Sequence, residues 1–191
     1  MNTRYIRDFL VGHDFRLHNP LDFYREKDGF VQCINFQRKS SGDVFFINLG
    51  VHPVFRKDPG ALHPRQEMDC YIRHRLQMDR ELQVAWLHDE DTCGQIIEEI
   101  TDKAWRFFDF FGSFAQVFDS LEIEAIESGR VPEPLQQVTK VRLAMLGMGY
   151  HEHIGNSARS CEFASYGLLV AGRATALKKE FRRVLSQANL D

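Results

Sequence analysis

The sequence predicts an α+β fold: an antiparallel sheet of about four strands in the N-terminal half, packed with helices, followed by a C-terminal helical bundle. Three observations carry that expectation. Residues 21 to 51 alternate apolar and polar side chains around an Asp28-Gly29 dipeptide, the residue pair that a two-residue type I′ hairpin turn requires. After residue 92, apolar residues recur at helical spacing instead. Strands therefore come first and helices later, which segregates the two kinds of element. The expected division is an α+β domain over 1–130 and a helical extension over 131–191, packed on the same domain.

Tyr5 to Val11 reads as a short helix entering the sheet. Leu21 to Lys27 is the first expected strand. Pairing across Asp28-Gly29 sets Phe23 opposite Ile34 and Leu21 opposite Phe36. The next turn, Lys39-Ser40-Ser41-Gly42, has loop composition. If Arg38 pairs with Asp43, Ile34 faces Ile47 and Phe36 faces Phe45. Alternation then gathers Leu21, Phe23, Ile34, Phe36, Phe45, Ile47 and Leu49 on a core face. The other face gathers Asp22, Tyr24, Cys33, Asn35, Gln37, Phe46 and Asn48. His52 to Arg65 holds three prolines and is a long loop. Cys70 to Leu76 is the fourth strand, with Cys70, Ile72 and Leu76 pointing one way and Tyr71, Arg73 and Arg75 the other.

Thr92 with Gln95, and Ser113 with Gln116, have capping-box spacing. The first helix runs from Ile96 to Phe111 and stops at Gly112. The second runs from Phe114 to Ile126 and ends near Gly129. A third spans Leu135 to Leu146 and is broken by Gly147 and Gly149. Ala158–Ala171 and Ala174–Leu185 form a closing helical pair, the last helix carrying Arg173, Lys178, Lys179, Arg182 and Arg183.

The chain has 191 residues, a size that buries roughly 70% of its unfolded surface without disulfides or metals. Its 16 Phe imply a large aromatic core. A net charge of −3 argues against a dedicated nucleic-acid binder. The N-terminal residues lack the apolar stretch of a secretory signal, and no run approaches the ~20 apolar residues of a membrane span. Cys33, Cys70, Cys93 and Cys161 are scattered without a Cys-x-x-Cys pair. The expectation is a cytoplasmic protein with reduced thiols and no membrane contact.

No catalytic constellation, P-loop or dinucleotide fingerprint is present, so no catalytic residue and no cofactor is assigned. Gly147-x-Gly149 lacks a third glycine and a preceding strand. His151-Glu152-His153, read as a glycine-flanked loop, offers His151 and His153 as metal candidates, without the His-Glu-x-x-His spacing of a zinc protease. His88-Asp89-Glu90-Asp91 offers carboxylates to a divalent cation, or simply favours a helix N-terminus. The basic last helix can touch phosphates or be a solvated face. The polar sheet face is the leading candidate. Asn35, Gln37 and Asn48 are poor strand formers placed mid-strand, and Tyr24, Arg73 and Arg75 add residues enriched at interfaces. Either water, a partner or another segment of the chain satisfies those amides.

The same residues carry a resemblance. Phe23-Tyr24-Arg25-Glu26, Val31 to Gln37, Phe46 to Val51, Cys70 to Leu76 and Trp86 occur in this order. The run from about 5 to 110 resembles the bacterial family catalogued as domain of unknown function 4304, with a strand ending in Phe-x-Arg, a strand ending in a hydrophobic-Gln pair and an Asn-x-Gly strand. The chain departs from it at Asp14, where members often carry glycine before Phe15, and at Leu87, where a second tryptophan often follows the first. The resemblance implies a small bacterial α+β domain and no activity. The expected function is a non-enzymatic protein-interaction module, with immunity-type neutralisation of a toxin as one version by family analogy. The alternatives are a metal-assisted hydrolase using His151 and His153, and a nucleic-acid binder through the last helix.

Overall fold

A computed structural model describes residues 4–56, 64–78, 81–83 and 90–187. Trp86, Leu87, His88 and Asp89 lie outside the described residues. The chain divides into two compact units at Gly112/Ser113.

The first unit opens with helix α1 (Arg4–Val11), followed by strands β1 (Arg16–Asn19), β2 (Asp22–Lys27), β3 (Phe30–Arg38), β4 (Val44–Pro53), β5 (Ile72–Arg75) and β6 (Leu82–Gln83), then helix α2 (Glu90–Asp109). The strands form one antiparallel sheet in the order β1-β2-β3-β4-β5, with β6 also paired to β4. Among the described residues six strands therefore replace the four expected. The signal for β1 is its turn. In Asn19-Pro20-Leu21-Asp22 the Asn19 side chain accepts from the backbone N–H groups of Leu21 at 2.9 Å and Asp22 at 3.1 Å, a local amide-to-backbone bond that favours turns.

The Asp28-Gly29 turn forms as its residues dictate. Both take positive φ, 55° and 81°, and Lys27 pairs with Phe30. Phe23 faces Ile34, and the Phe36 N–H donates to the Leu21 carbonyl at 2.9 Å. The β3–β4 register differs from the expectation by two residues: Ile34 faces Leu49, Phe36 faces Ile47 and Arg38 faces Phe45. The cause is the turn. The Lys39 N–H bonds to the Val44 carbonyl at 2.8 Å, and Gly42, at φ 84°, closes the loop onto Lys39. The loop is thus Ser40 to Asp43. A shift of two leaves every side chain on its expected face, because strand side chains alternate with period two.

Phe23, Ile34, Phe36, Phe45, Ile47 and Leu49 are fully buried, while Leu21 is half-buried beside the turn. Against this core face lie Ile6 and Leu10 of α1 and the apolar stripe of α2, Ile96, Ile100, Ala104, Phe107, Phe108 and Phe111. Phe107 stacks on His74 at 5.0 Å, Phe108 meets Phe15 at 6.1 Å and Phe111 meets Phe30 edge-on at 5.6 Å. Helix α2 begins at Glu90, ahead of the start expected at Thr92.

The second unit is helical: α3 (Phe114–Phe118), α4 (Ile123–Ser128), α5 (Lys140–His153), α6 (Ser157–Val170) and α7 (Thr175–Gln187). The expected helix 114–126 is two short ones, because Leu121 turns back onto the Phe118 carbonyl and Tyr150 engages Asp119. The Ser113 hydroxyl caps α3 by accepting from the Gln116 N–H, and Gly129, at φ 72°, ends α4. Helix α5 starts five residues after Leu135 and is not broken at Gly147 or Gly149. It is buried all round from Leu143 to His151, the pattern of a central helix. Gly147 is there for close packing. A Cβ at that position would come within 2.5 Å of the Phe163 ring, and one at Gly167 within 2.2 Å of Phe181.

Candidate binding face

The polar face of the sheet is built from two adjacent rungs. In the first, pairing aligns Asn19, Asp22, Asn35, Asn48 and Arg75 across five strands. Their side chains form one hydrogen-bonded chain. Arg75 Nε donates to Asn48 Oδ1 at 3.0 Å, Asn48 Nδ2 donates to Asn35 Oδ1 at 3.1 Å, and Asn35 Nδ2 donates to Asp22 Oδ1 at 2.7 Å. Asn19 Nδ2 donates to the other Asp22 oxygen at 2.6 Å. Gln37 joins from the next rung, its Oε1 accepting from Asn48 Nδ2 at 3.1 Å and from Arg75 Nη2 at 3.0 Å.

The ends orient the middle. A guanidinium only donates and a carboxylate only accepts, so every amide between Arg75 and Asp22 must point its N–H₂ toward Asp22. Such chains polarise along their length. Asp22 and Asn48 are buried, Asn35 is half-buried, and Gln37 and Arg75 are exposed. Among the alternatives the residues left open, the chain's own side chains satisfy these amides.

The second rung runs Arg16, Tyr24, Cys33, Gly50, Arg73. Here a one-turn 3₁₀ helix, Glu67–Asp69, lies over the sheet. A Cβ at Gly50 would fall 2.8 Å from Cys70 Sγ and 3.0 Å from Glu67 Cα, so only glycine admits the turn at this distance. Cys70 was expected to share a face with Ile72 and Leu76. It instead packs with Val31 and Cys33, flanked by Tyr24 and Val54, because it precedes β5 and belongs to the turn. Arg73 clamps the buried Glu67 carboxylate with Nε at 2.5 Å and Nη2 at 3.3 Å, and that bond raises the guanidinium's already high pKa.

The six candidate residues thus separate. Asn35, Gln37, Asn48 and Arg75 form one network, and Tyr24 and Arg73 stand at either side of the covered rung. Asn19, Asp22 and Glu67 complete the arrangement and were not among the candidates. Asn19 lies on the unexpected strand, and Glu67 reaches the sheet only through the turn. Among the described residues this face exposes the guanidiniums of Arg16, Arg73, Arg75 and Arg65, the last 5.8 Å over the Tyr24 ring, and the carboxylates of Glu26 and Asp69. Arg75 lies 4.4 Å over the Phe46 ring, beside a cleft of about 300 Å³.

The other candidates are dispersed. His151 and His153 sit on α5 rather than in a loop. Two positions on a helix turn through roughly 200°, and His151 is buried against Phe163 while His153 is exposed beside Phe114. Burial first, then Arg159, holds the His151 imidazole below its usual pKa. Among the described residues no group of three or more His, Cys, Asp or Glu is arranged to hold a metal ion. On α7, Arg183 is engaged by Glu152 and Glu180, whereas Lys179, Arg182 and Arg173 are exposed. Among the described residues no helix is long and apolar enough to cross a membrane.

The sequence motifs acquire structural meaning here. Arg25 of Phe-x-Arg lies 4.5 Å over the Phe15 ring, donates to Gln32 at 2.8 Å and to the His13 carbonyl at 2.9 Å. Gln37 and Asn48 are ladder residues, and Gly50 admits the turn. Asp14 holds φ 67°, the left-handed region that glycine prefers and aspartate tolerates.

No curated protein and no solved structure matches the chain. The family model described as Domain of unknown function (DUF4304) matches residues 6–109. That span holds the whole sheet and α2 and more than half of the chain, and the protein belongs to that family.

Proposed function

We propose that the sheet unit is a protein-binding module that receives an acidic segment of its partner on the arginine-edged polar face. The observation that supports this reading is the fixing of Arg75. Its Nε and Nη2 are held by Asn48 and Gln37, its plane lies on Phe46, and among the described residues nothing takes Nη1. An arginine already ordered loses little side-chain freedom on binding, which is the general source of affinity through preorganisation. Arg73, anchored on Glu67, stands two positions along the same strand. Arg75 and Arg73 are exposed guanidiniums held in place at this edge of the sheet, so a partner carboxylate meets donors that are already oriented.

A photo-cross-linking phenylalanine analogue in place of Phe46, introduced in the native cell, tests this. The expected result is one specific adduct, with a partner whose contacting peptide is acidic. That adduct is lost with Arg73→Glu and Arg75→Glu together, and kept with Lys179→Glu and Arg182→Glu on α7. Adducts that persist unchanged through the Arg73/Arg75 reversal would overturn the reading.

A further inference from the structure

Cys33 is the β3 residue paired with Gly50. Gly50 has no side chain, and the space a side chain would take is filled by Cys70, with Sγ at 2.8 Å and Cβ at 3.0 Å from the absent Cβ. Cys70 therefore stands where a cross-strand neighbour of Cys33 would stand. The two thiols are hydrogen-bonded to each other, so their sulfurs already face one another, and bridging asks them to close from hydrogen-bond contact to the S–S bond length. Both cysteines are free and buried, in one cluster with Val31.

We propose that Cys33 and Cys70 are a disulfide-forming pair that fastens the Gln66–Cys70 turn onto the polar face of the sheet. The co-reactant is a small disulfide such as oxidised glutathione. One protein thiolate attacks a sulfur of it, forming a mixed disulfide and releasing one thiolate. The second cysteine thiolate then attacks the protein sulfur of the mixed disulfide and releases the other. Two protein thiols are oxidised and one small disulfide is reduced to two thiols, with the two protons passing to solvent or to the released thiolates.

The surroundings set the pace. The Cys70 thiol is pushed well above its usual pKa, by the hydrogen bond with Cys33 first, then by burial, and further by the Cys33, Glu67 and Asp69 charges. Thiolate is the reactive form, so the closed turn protects the pair. Reaction requires the turn to lift, which breaks the Cys70 Sγ contact to the Gln66 carbonyl at 3.6 Å and strains the Arg73–Glu67 clamp. The bridge is then a slow latch that records opening of this face, whether or not the face binds a partner.

The test is incubation of the full wild-type chain with oxidised glutathione, alkylation of the remaining thiols and peptide mass spectrometry. Two of the four thiols are expected to become unavailable, with a Cys33–Cys70 linked peptide and the loss of two hydrogens. Closing a loop of this length is expected to raise the Tm by about 10 °C, reversed by a reducing thiol and absent in Cys33→Ser and in Cys70→Ser. Four free thiols after prolonged exposure, or glutathione adducts on Cys33 or Cys70 without their mutual link, would overturn the proposal. The linked peptide is read on wild type, so it stands even if a serine variant folds poorly.

Discussion

The amide ladder of the sheet unit and the His151–Tyr166 region of the helical unit treat polar groups in opposite ways. In the sheet unit, Asp22, Asn35 and Asn48 lie under or within the surface, and each is engaged by named partners along one chain. In the helical unit, His151 is 8% exposed, and among the described residues its Nδ1 and the buried Tyr166 hydroxyl have no hydrogen-bond partner. A buried polar atom without a partner costs roughly 1–3 kcal/mol, whereas a satisfied one contributes modestly. The bonded ladder therefore stabilises the sheet unit, whereas the lowered pKa of His151 makes the helical unit sensitive to pH.

The largest effect is expected from breaking the sheet's chain at its middle. Asn48→Ala removes two donated bonds and one accepted bond together, for a loss of roughly 2–4 kcal/mol, measured by chemical denaturation. A loss below about 0.5 kcal/mol would mean that the chain contributes nothing to stability.

The next effect is on the helical unit and depends on pH. The folded-state pKa of His151 is lowered, so the unfolded chain takes up its proton first. The stability of this unit is full above about 6.5, the ordinary imidazole value, and declines as pH falls below it toward the folded pKa. Unfolding at about pH 7.5 and about pH 5 should show that decline in wild type and a smaller one in His151→Phe. The variant keeps a ring against Phe163 and removes the titrating group. An equal decline in both would assign the pH sensitivity elsewhere.

Smaller effects sharpen the same contrast. Asp14→Gly relieves the positive φ at the end of α1 and is expected to stabilise by about 0.5–1 kcal/mol, read as a rise in Tm. Arg75→Ala is expected to cost less than about 1 kcal/mol because the side chain is exposed. The same variant should weaken partner capture strongly, which separates holding the face from using it.

Much of the fold was legible because local chemistry decided it. Asp28-Gly29 set one hairpin, and the apolar stripe of 96–111 set α2. The polar face was legible as a set of residues but not as a network. Which amide meets which depends on the β3–β4 register, and that depends on whether the turn closes at Arg38 or Lys39. Asn19 needed a strand whose only signal was Asn-Pro. Cys70 was placed by strand alternation, yet it lies in a turn that Gly50 admits. Gly147 looked like a helix breaker because glycine weakens an isolated helix, and the ring of Phe163, distant in sequence, decided otherwise.

The ladder itself is tested most directly by NMR hydrogen exchange of side-chain amides. The Nδ2 protons of Asn35 and Asn48 should exchange well below the rate of an exposed amide such as Gln77, and Arg75→Ala should speed Asn48 more than Asn35. Exchange of both at the exposed rate in wild type would contradict the account, because the polar face would then be an ordinary solvated surface.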